Sequence, residues 1–217
     1  GEVSESYYHM KKIKSLYIIG ALASVVVGIL VWYVVASDTS NTQSINPVNT
    51  PKSQQQNEYK IVAFGDSLTA GFGLDTKDSY PMQLQNKIAD SRVRVINAGV
   101  SGETTFGNLE RAAFIKSQNP DMVILGIGGN DALRGLDIAN TKENIQNTID
   151  ILKSGDTPPQ IVLLQIQAPL NLGLAYKRKF DQLYVDLSKK NNIPLTPFVV
   201  NEVFLNTAYM LGDGIHP

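Results

Sequence analysis

The sequence predicts a three-layer α/β/α sandwich around a five-stranded parallel sheet, preceded by one membrane-spanning helix and a flexible linker. Three observations carry this: an uncharged stretch of 21 residues near the amino terminus, a polar segment rich in Ser, Thr, Asn, Gln and Pro after it, and 159 further residues in which short apolar runs alternate with helical patterns. Such alternation folds as right-handed βαβ units, which bury a parallel sheet between helical layers. With 217 residues, 43% of them hydrophobic, the chain can bury a substantial core. Nineteen Lys and Arg against twenty Asp and Glu leave a formal charge of -1, so no basic surface argues for nucleic acid. The absence of Cys excludes disulfides, Cys-ligated metals and a thiol nucleophile. Only His9 and His216 are available as imidazoles, so no metal centre and no cofactor are expected.

Residues 1–15 read as a short cytoplasmic segment, with Met10 a natural start immediately before the Lys cluster. Residues 16–36 carry no charge and match the ~20 residues that cross a bilayer core. Lys11, Lys12 and Lys14 precede this stretch, and Asp38 is the only charge in the fifteen residues after it, which places the amino terminus in the cytoplasm and the rest outside. A cleaved signal peptide followed by secretion is the alternative. The apolar run exceeds the ~7–15 residues usual for such peptides, which favours an anchor in the cell membrane. Residues 37–58 hold only Ile45 and Val48 as large apolar side chains before the final Glu58, too little to offset the entropy of ordering. This linker spans roughly 25–30 Å as a flexible coil.

The remaining residues, 59–217, form the folded domain in this reading, expected to be monomeric. Strands are predicted at 60–64, 93–97, 122–126, 161–165 and 195–199 from short apolar runs bounded by turn residues. Helices are predicted at 80–89, 109–116, 141–153 and 174–191 from apolar periodicity. Ligands in such folds gather at the carboxyl ends of the strands.

Three glycine-bearing loops fall at that edge: Gly65-Asp66-Ser67-Leu68-Thr69-Ala70-Gly71, Asn97-Ala98-Gly99-Val100-Ser101-Gly102, and Gly126-Ile127-Gly128-Gly129-Asn130-Asp131. Each taken alone is compatible with ordinary turn chemistry. Ser67 stands where a nucleophile belongs, and an Asn amide can donate to an oxyanion. Near the end stands Asp213-Gly214-Ile215-His216, in which a carboxylate can orient an imidazole whose other nitrogen faces a serine. The Gly-x-Ser-x-Gly elbow is absent because Thr69 fills its last position, and there is no Walker-type Gly-Lys-Ser/Thr.

Gly-Asp-Ser-Leu at the first strand, Gly102, Gly-Gly-Asn-Asp at the third and Asp-Gly-Ile-His near the end together resemble the SGNH (GDSL) hydrolase family. The likeness runs from Lys60 to Pro217 and is greatest to the bacterial extracytoplasmic acyl thioesterase, lysophospholipase and arylesterase branch. It implies a flavodoxin-like fold, with Ser67 as nucleophile, His216 as general base and Asp213 as its orienting carboxylate. It further implies an oxyanion hole of Ser67, Gly102 and Asn130, while Asp66 and Asp131 brace the loops. Similar proteins continue past the base with a further helix, whereas this sequence stops at Pro217, so looser tethering of Asp213 and His216 is expected.

Apolar residues of the loops 132–136 and 168–174 suit an acyl chain, which makes Leu133, Leu136 and Leu170 candidate substrate contacts. Arg134 is a candidate for a phosphate or CoA group. The expected substrate is a small-molecule or lipid ester or thioester, met at a membrane. An acyltransferase or deacetylase acting on a surface polysaccharide could use the same residues. A non-catalytic flavodoxin-like module binding phosphate through residues 67–73 would leave Asp213 and His216 without a task, and a tethered adhesin without activity is a third reading that the sequence leaves open.

Overall fold

The computed structural model describes residues 58–88, 90–198, 208, 210–214 and 216. The expected cytoplasmic segment, membrane helix and linker up to residue 57 lie outside the described residues, as do positions 89 and 199 at the ends of two predicted elements. Among the described residues no helix is long and apolar enough to cross a membrane.

Five parallel strands, β1 (Tyr59–Gly65), β2 (Val93–Gly99), β3 (Met122–Gly126), β4 (Gln160–Gln165) and β5 (Leu195–Pro197), lie in the order β2-β1-β3-β4-β5. The central strands are apolar without interruption because both their faces are covered; all five residues of β3 are buried, as are the last five of β1. The edge strand β2 is mixed, with Val95 buried beside exposed Arg94. Each buried Val, Leu, Ile or Phe contributes ~1.5–3 kcal/mol, so Ile61, Phe64, Ile124 and Leu125 anchor the sheet centre.

Four helices make the crossovers: α2 (Tyr80–Ile88), α3 (Thr105–Ser117), α5 (Ile138–Lys153) and α6 (Leu174–Asn191). Two short helices, α1 (Ser67–Ala70) and α4 (Gly129–Arg134), follow β1 and β3 directly. The chain steps one way across the sheet through α2 and the other way through α3, α5 and α6. Right-handed crossovers therefore set α2 on one face and the other three on the opposite face, where α3 packs on α5 and α5 on α6. This is the flavodoxin-like three-layer order, with its switch point between β1 and β3.

Two helix starts fall three or more residues before those the periodicity predicts, and several other ends differ by one or two. Helix α3 starts at Thr105 rather than 109, because the carboxylate of Asp131 accepts the Thr105 N–H at 2.8 Å and so supplies a cap from another part of the chain. Helix α5 starts at Ile138 rather than 141, capped locally by Asp137, which accepts the Asn140 N–H at 2.9 Å. Helices α1 and α4 are too short to leave a period of 3.6 residues in the sequence.

At the carboxyl edge Gly65 is in register with both Gly99 and Gly126. A Cβ at Gly65 would lie 2.0 Å from Thr69 Oγ1, and one at Gly99 would lie 2.2 Å from the Ala70 nitrogen. Only glycine lets α1 settle this closely over the sheet edge.

Candidate active site

Ser67 opens α1 immediately beyond β1 and is 8% exposed. Its backbone is closed on both sides. The Ser67 carbonyl accepts N–H bonds from Gly71 and Phe72, both at 3.0 Å, and the Asp66 carbonyl accepts that of Ala70 at 2.9 Å. Asp66 Oδ1 caps the helix by accepting the Leu68 N–H at 3.0 Å, while Oδ2 is buried against Gly129 without a well-directed donor. Burial pushes the Asp66 carboxyl up to about 6; the Leu68 and Gly129 backbone N–H groups and nearby His216 offset part of that rise, and Asp131 adds to it.

The structure brings His216 to Ser67 across 149 positions of chain, with Nε2 at 2.8 Å from Oγ. Its Nδ1 lies 2.7 Å from Asp213 Oδ2, and the His216 backbone N–H donates to Asp213 Oδ1 at 3.0 Å. One carboxylate thus holds both the ring and its own main chain. A carboxylate beside Nδ1 favours the proton on that nitrogen, an assignment made from the hydrogen-bond network, and leaves Nε2 to accept the serine O–H. The Phe72 ring lies 4.7 Å from the imidazole, centroid to centroid, and limits its tilt.

The other two loops converge on the same edge. Asn130, on α4, lines the cavity described below and donates from Nδ2 to the Glu103 carbonyl at 2.9 Å, which leaves its second amide proton available. Gly102 adopts φ +80°, in the left-handed region, and its carbonyl accepts from Arg134 at 2.9 Å. Glu103 in turn forms a two-point ion pair with Arg111 and accepts from Asn108. Asp131 is buried; besides the Thr105 N–H it accepts the Thr105 hydroxyl at 2.6 Å, which joins α4 to the start of α3. Tyr184 donates its hydroxyl to the Ile127 carbonyl at 2.9 Å beneath the third loop. Among the described residues no group of three or more His, Asp or Glu could hold a metal ion.

A cavity of about 450 Å³ opens beside Ser67 and His216, a size common for small-molecule sites. Of the residues expected to meet substrate, Leu133 and Leu170 line it, whereas Leu136 and Arg134 do not; Arg134 instead holds the Gly102 carbonyl. The sequence reading missed Leu68, Ile166, Gln167 and Lys177 in the wall and Phe72 against the imidazole. Ile166 and Gln167 directly follow β4, so their place at the carboxyl edge was available as a signal. Lys177 lies a turn into α6, and nothing local distinguishes it from Arg178 and Lys179.

Comparison with known proteins shows the family of the chain. A model of the GDSL-like Lipase/Acylhydrolase family matches residues 63–217. Thioesterase 1/protease 1/lysophospholipase L1 of Escherichia coli (strain K12) is 35% identical over 158 residues, 72% of this chain and 74% of that protein. An arylesterase of Vibrio mimicus is 33% identical over 165 residues, 75% of this chain and 82% of that protein. The crystal structure of AlinE4, an SGNH-hydrolase family esterase, superposes with a TM-score of 0.67 at 38% identity, covering 74% of this chain and 87% of that one. The fold order, the loops gathered over the switch point and these likenesses converge: the chain is an SGNH/GDSL hydrolase and belongs to the GDSL-like lipase/acylhydrolase family.

Proposed function

We propose that the protein hydrolyses carboxylic esters or thioesters of acyl chains by way of an acyl-enzyme on Ser67. The observation that carries this is the continuous relay from Asp213 through His216 to the Ser67 hydroxyl, with contacts of 2.7 and 2.8 Å. In the first half-reaction His216 Nε2 takes the Ser67 proton as Oγ bonds to the substrate carbonyl carbon. The imidazolium then returns that proton to the leaving oxygen or sulfur as its bond to carbon breaks. Water repeats the sequence on the acyl-enzyme, releasing the acid and restoring the serine. Asp213 keeps the ring in the productive tautomer and stabilises its charged form. The Ser67 and Gly102 N–H groups and the Asn130 amide are proposed as donors to the oxyanion.

The cavity walls favour an acyl chain: Leu68, Ala132, Leu133, Ile166 and Leu170 supply apolar contact beside the nucleophile. Each buried methylene contributes ~0.8 kcal/mol, so longer chains gain affinity until the cavity is filled. Residues 16–36 are proposed to anchor the protein in the cell membrane, with residues 59–217 on the extracytoplasmic side.

The test is a panel of lysophospholipid, acyl-CoA and aryl esters of graded chain length, assayed with the protein and with Ser67→Ala. The expected result is a loss of ~10³-fold or more in turnover, with an unchanged circular dichroism spectrum. Retained turnover in the folded variant would overturn the assignment, and equal rates from acetyl to palmitoyl esters would remove the acyl-chain preference.

A further inference from the structure

We infer that the leucine rim of the cavity, formed by Leu133, Leu136, Leu170, Leu172 and Leu174, docks on a lipid surface bearing anionic headgroups, so that an acyl substrate passes from lipid into the cavity without crossing water. This rests on the ester-hydrolase reading above and adds where the substrate is drawn from.

These side chains are 43%, 39%, 62%, 36% and 62% exposed, respectively, although leucine is among the residues most often buried. The two loops that carry them adjoin. Leu133 and Leu170 line the same cavity, the Leu172 side chain comes within 3.5 Å of the position a Cβ would take at Gly135, and Tyr176 donates its hydroxyl to the Leu136 carbonyl at 2.9 Å. The exposed Phe106 and Phe114, by contrast, are two turns apart on α3, ~12 Å along its axis, and make no patch of this kind. A contiguous apolar surface at the mouth of a binding cavity marks a site of association.

Charge around the rim selects the partner. Arg134, Lys177, Arg178 and Lys179 stand within or beside it, against two carboxylates, Asp137 and Asp181, on a chain whose formal net charge is -1. Asp181 pairs with Lys177 at 2.7 Å, and Arg178 and Lys179 are exposed. Apolar side chains flanked by cations match acyl chains beneath anionic headgroups. A second copy of the chain would bring like charges together and would seal the mouth against substrate.

The absence of Cys allows single-site labelling. The full-length Leu174→Cys and Ser91→Cys variants, the latter beyond the opposite end of β2, would carry an environment-sensitive fluorophore. Each would be reconstituted in phosphatidylcholine vesicles with and without about 30% phosphatidylglycerol. We expect quenching by doxyl-labelled lipid at position 174 to exceed that at 91 by at least about threefold and to grow with phosphatidylglycerol. Equal quenching at both positions would overturn the proposal, as would a blue shift at 174 that lipid does not quench and that rises with protein concentration, the mark of self-association. In parallel, the double variant L172S/L174S, which leaves the cavity lining intact, should lose about tenfold in hydrolysis of lysophospholipid within anionic vesicles while hydrolysing soluble p-nitrophenyl butyrate within about twofold of the parent. Parallel changes on both substrates, or no change on either, count against docking. Should the parent hydrolyse neither substrate, the esterase reading fails, and the quenching still decides whether the rim meets lipid.

Discussion

The turn after β1 and the segment that carries Asp213 and His216 hold the two halves of the proposed proton relay and are built differently. Ser67 stands just beyond the central strand β1 with Asp66 and Thr69 buried on either side, and its carbonyl is bonded to two successive N–H groups. Among the described residues of 210–216, Met210 is the only buried apolar side chain. The segment is shaped by Leu211 donating to the His216 carbonyl at 2.7 Å, Gly214 donating to the Leu211 carbonyl at 3.1 Å, and Asp213 gripping His216. Ser67 therefore inherits the stability of the core, while His216 depends on polar contacts and the Phe72 ring at the site itself. Local opening is cheapest where apolar burial is least, so the relay should fail first on its histidine side.

The sharpest way to break this contrast is Asp213→Asn. We expect kcat to fall by ~10³–10⁴, because the imidazole loses its orienting carboxylate, while the melting temperature moves by no more than ~1–2 °C because no core residue is touched. A large loss of thermal stability would show the segment to be part of the core. Asn130→Ala should lower kcat by ~10²–10³ with KM little changed, as for loss of one oxyanion donor; a change confined to KM would place Asn130 in ground-state binding instead.

On the serine side the effects should appear in stability. Asp66 has a folded value of about 6 against an ordinary value near 4. Between those values the folded state holds a proton that the unfolded chain has released. The stabilisation is therefore complete below pH ~4 and is lost as pH rises through ~6, a change of ~3 kcal/mol. Asp66→Asn should remove this slope, so that urea titrations at pH 4 and pH 8 show the variant gaining about 3 kcal/mol on the parent between them. Parallel stabilities at the two values would mean that Asp66 is ionised in the fold as it is in water. The smallest expected change is Asp131→Ala, which strands the Thr105 N–H and hydroxyl and should cost ~2 kcal/mol, or ~4–8 °C.

The same contrast separates what was legible in the sequence. β3 and α6 run over the residues that periodicity predicts, and the family motifs single out Ser67, Asp213 and His216, which the fold brings together. The start of α3 was not legible, because its cap is the carboxylate of Asp131, 26 residues away in sequence. Nor was the division among loop residues: Leu133 and Leu136 are three positions apart in equally apolar surroundings, yet only the first lines the cavity. Arg134, which reads as a candidate for a phosphate or CoA group, is committed to the Gly102 carbonyl.

By itself, then, the sequence determined the order of strands and helices, the glycines that let α1 approach the sheet edge, and the residue types able to form a relay, because each is written in neighbouring positions through periodicity, backbone freedom and side-chain chemistry. Tertiary structure alone decided which loop carbonyls Asn130 and Arg134 hold, and which leucines line the cavity or stand on its rim. Those outcomes depend on distances between residues remote in sequence, set by how α1, α4 and α6 pack over the carboxyl edge of the sheet.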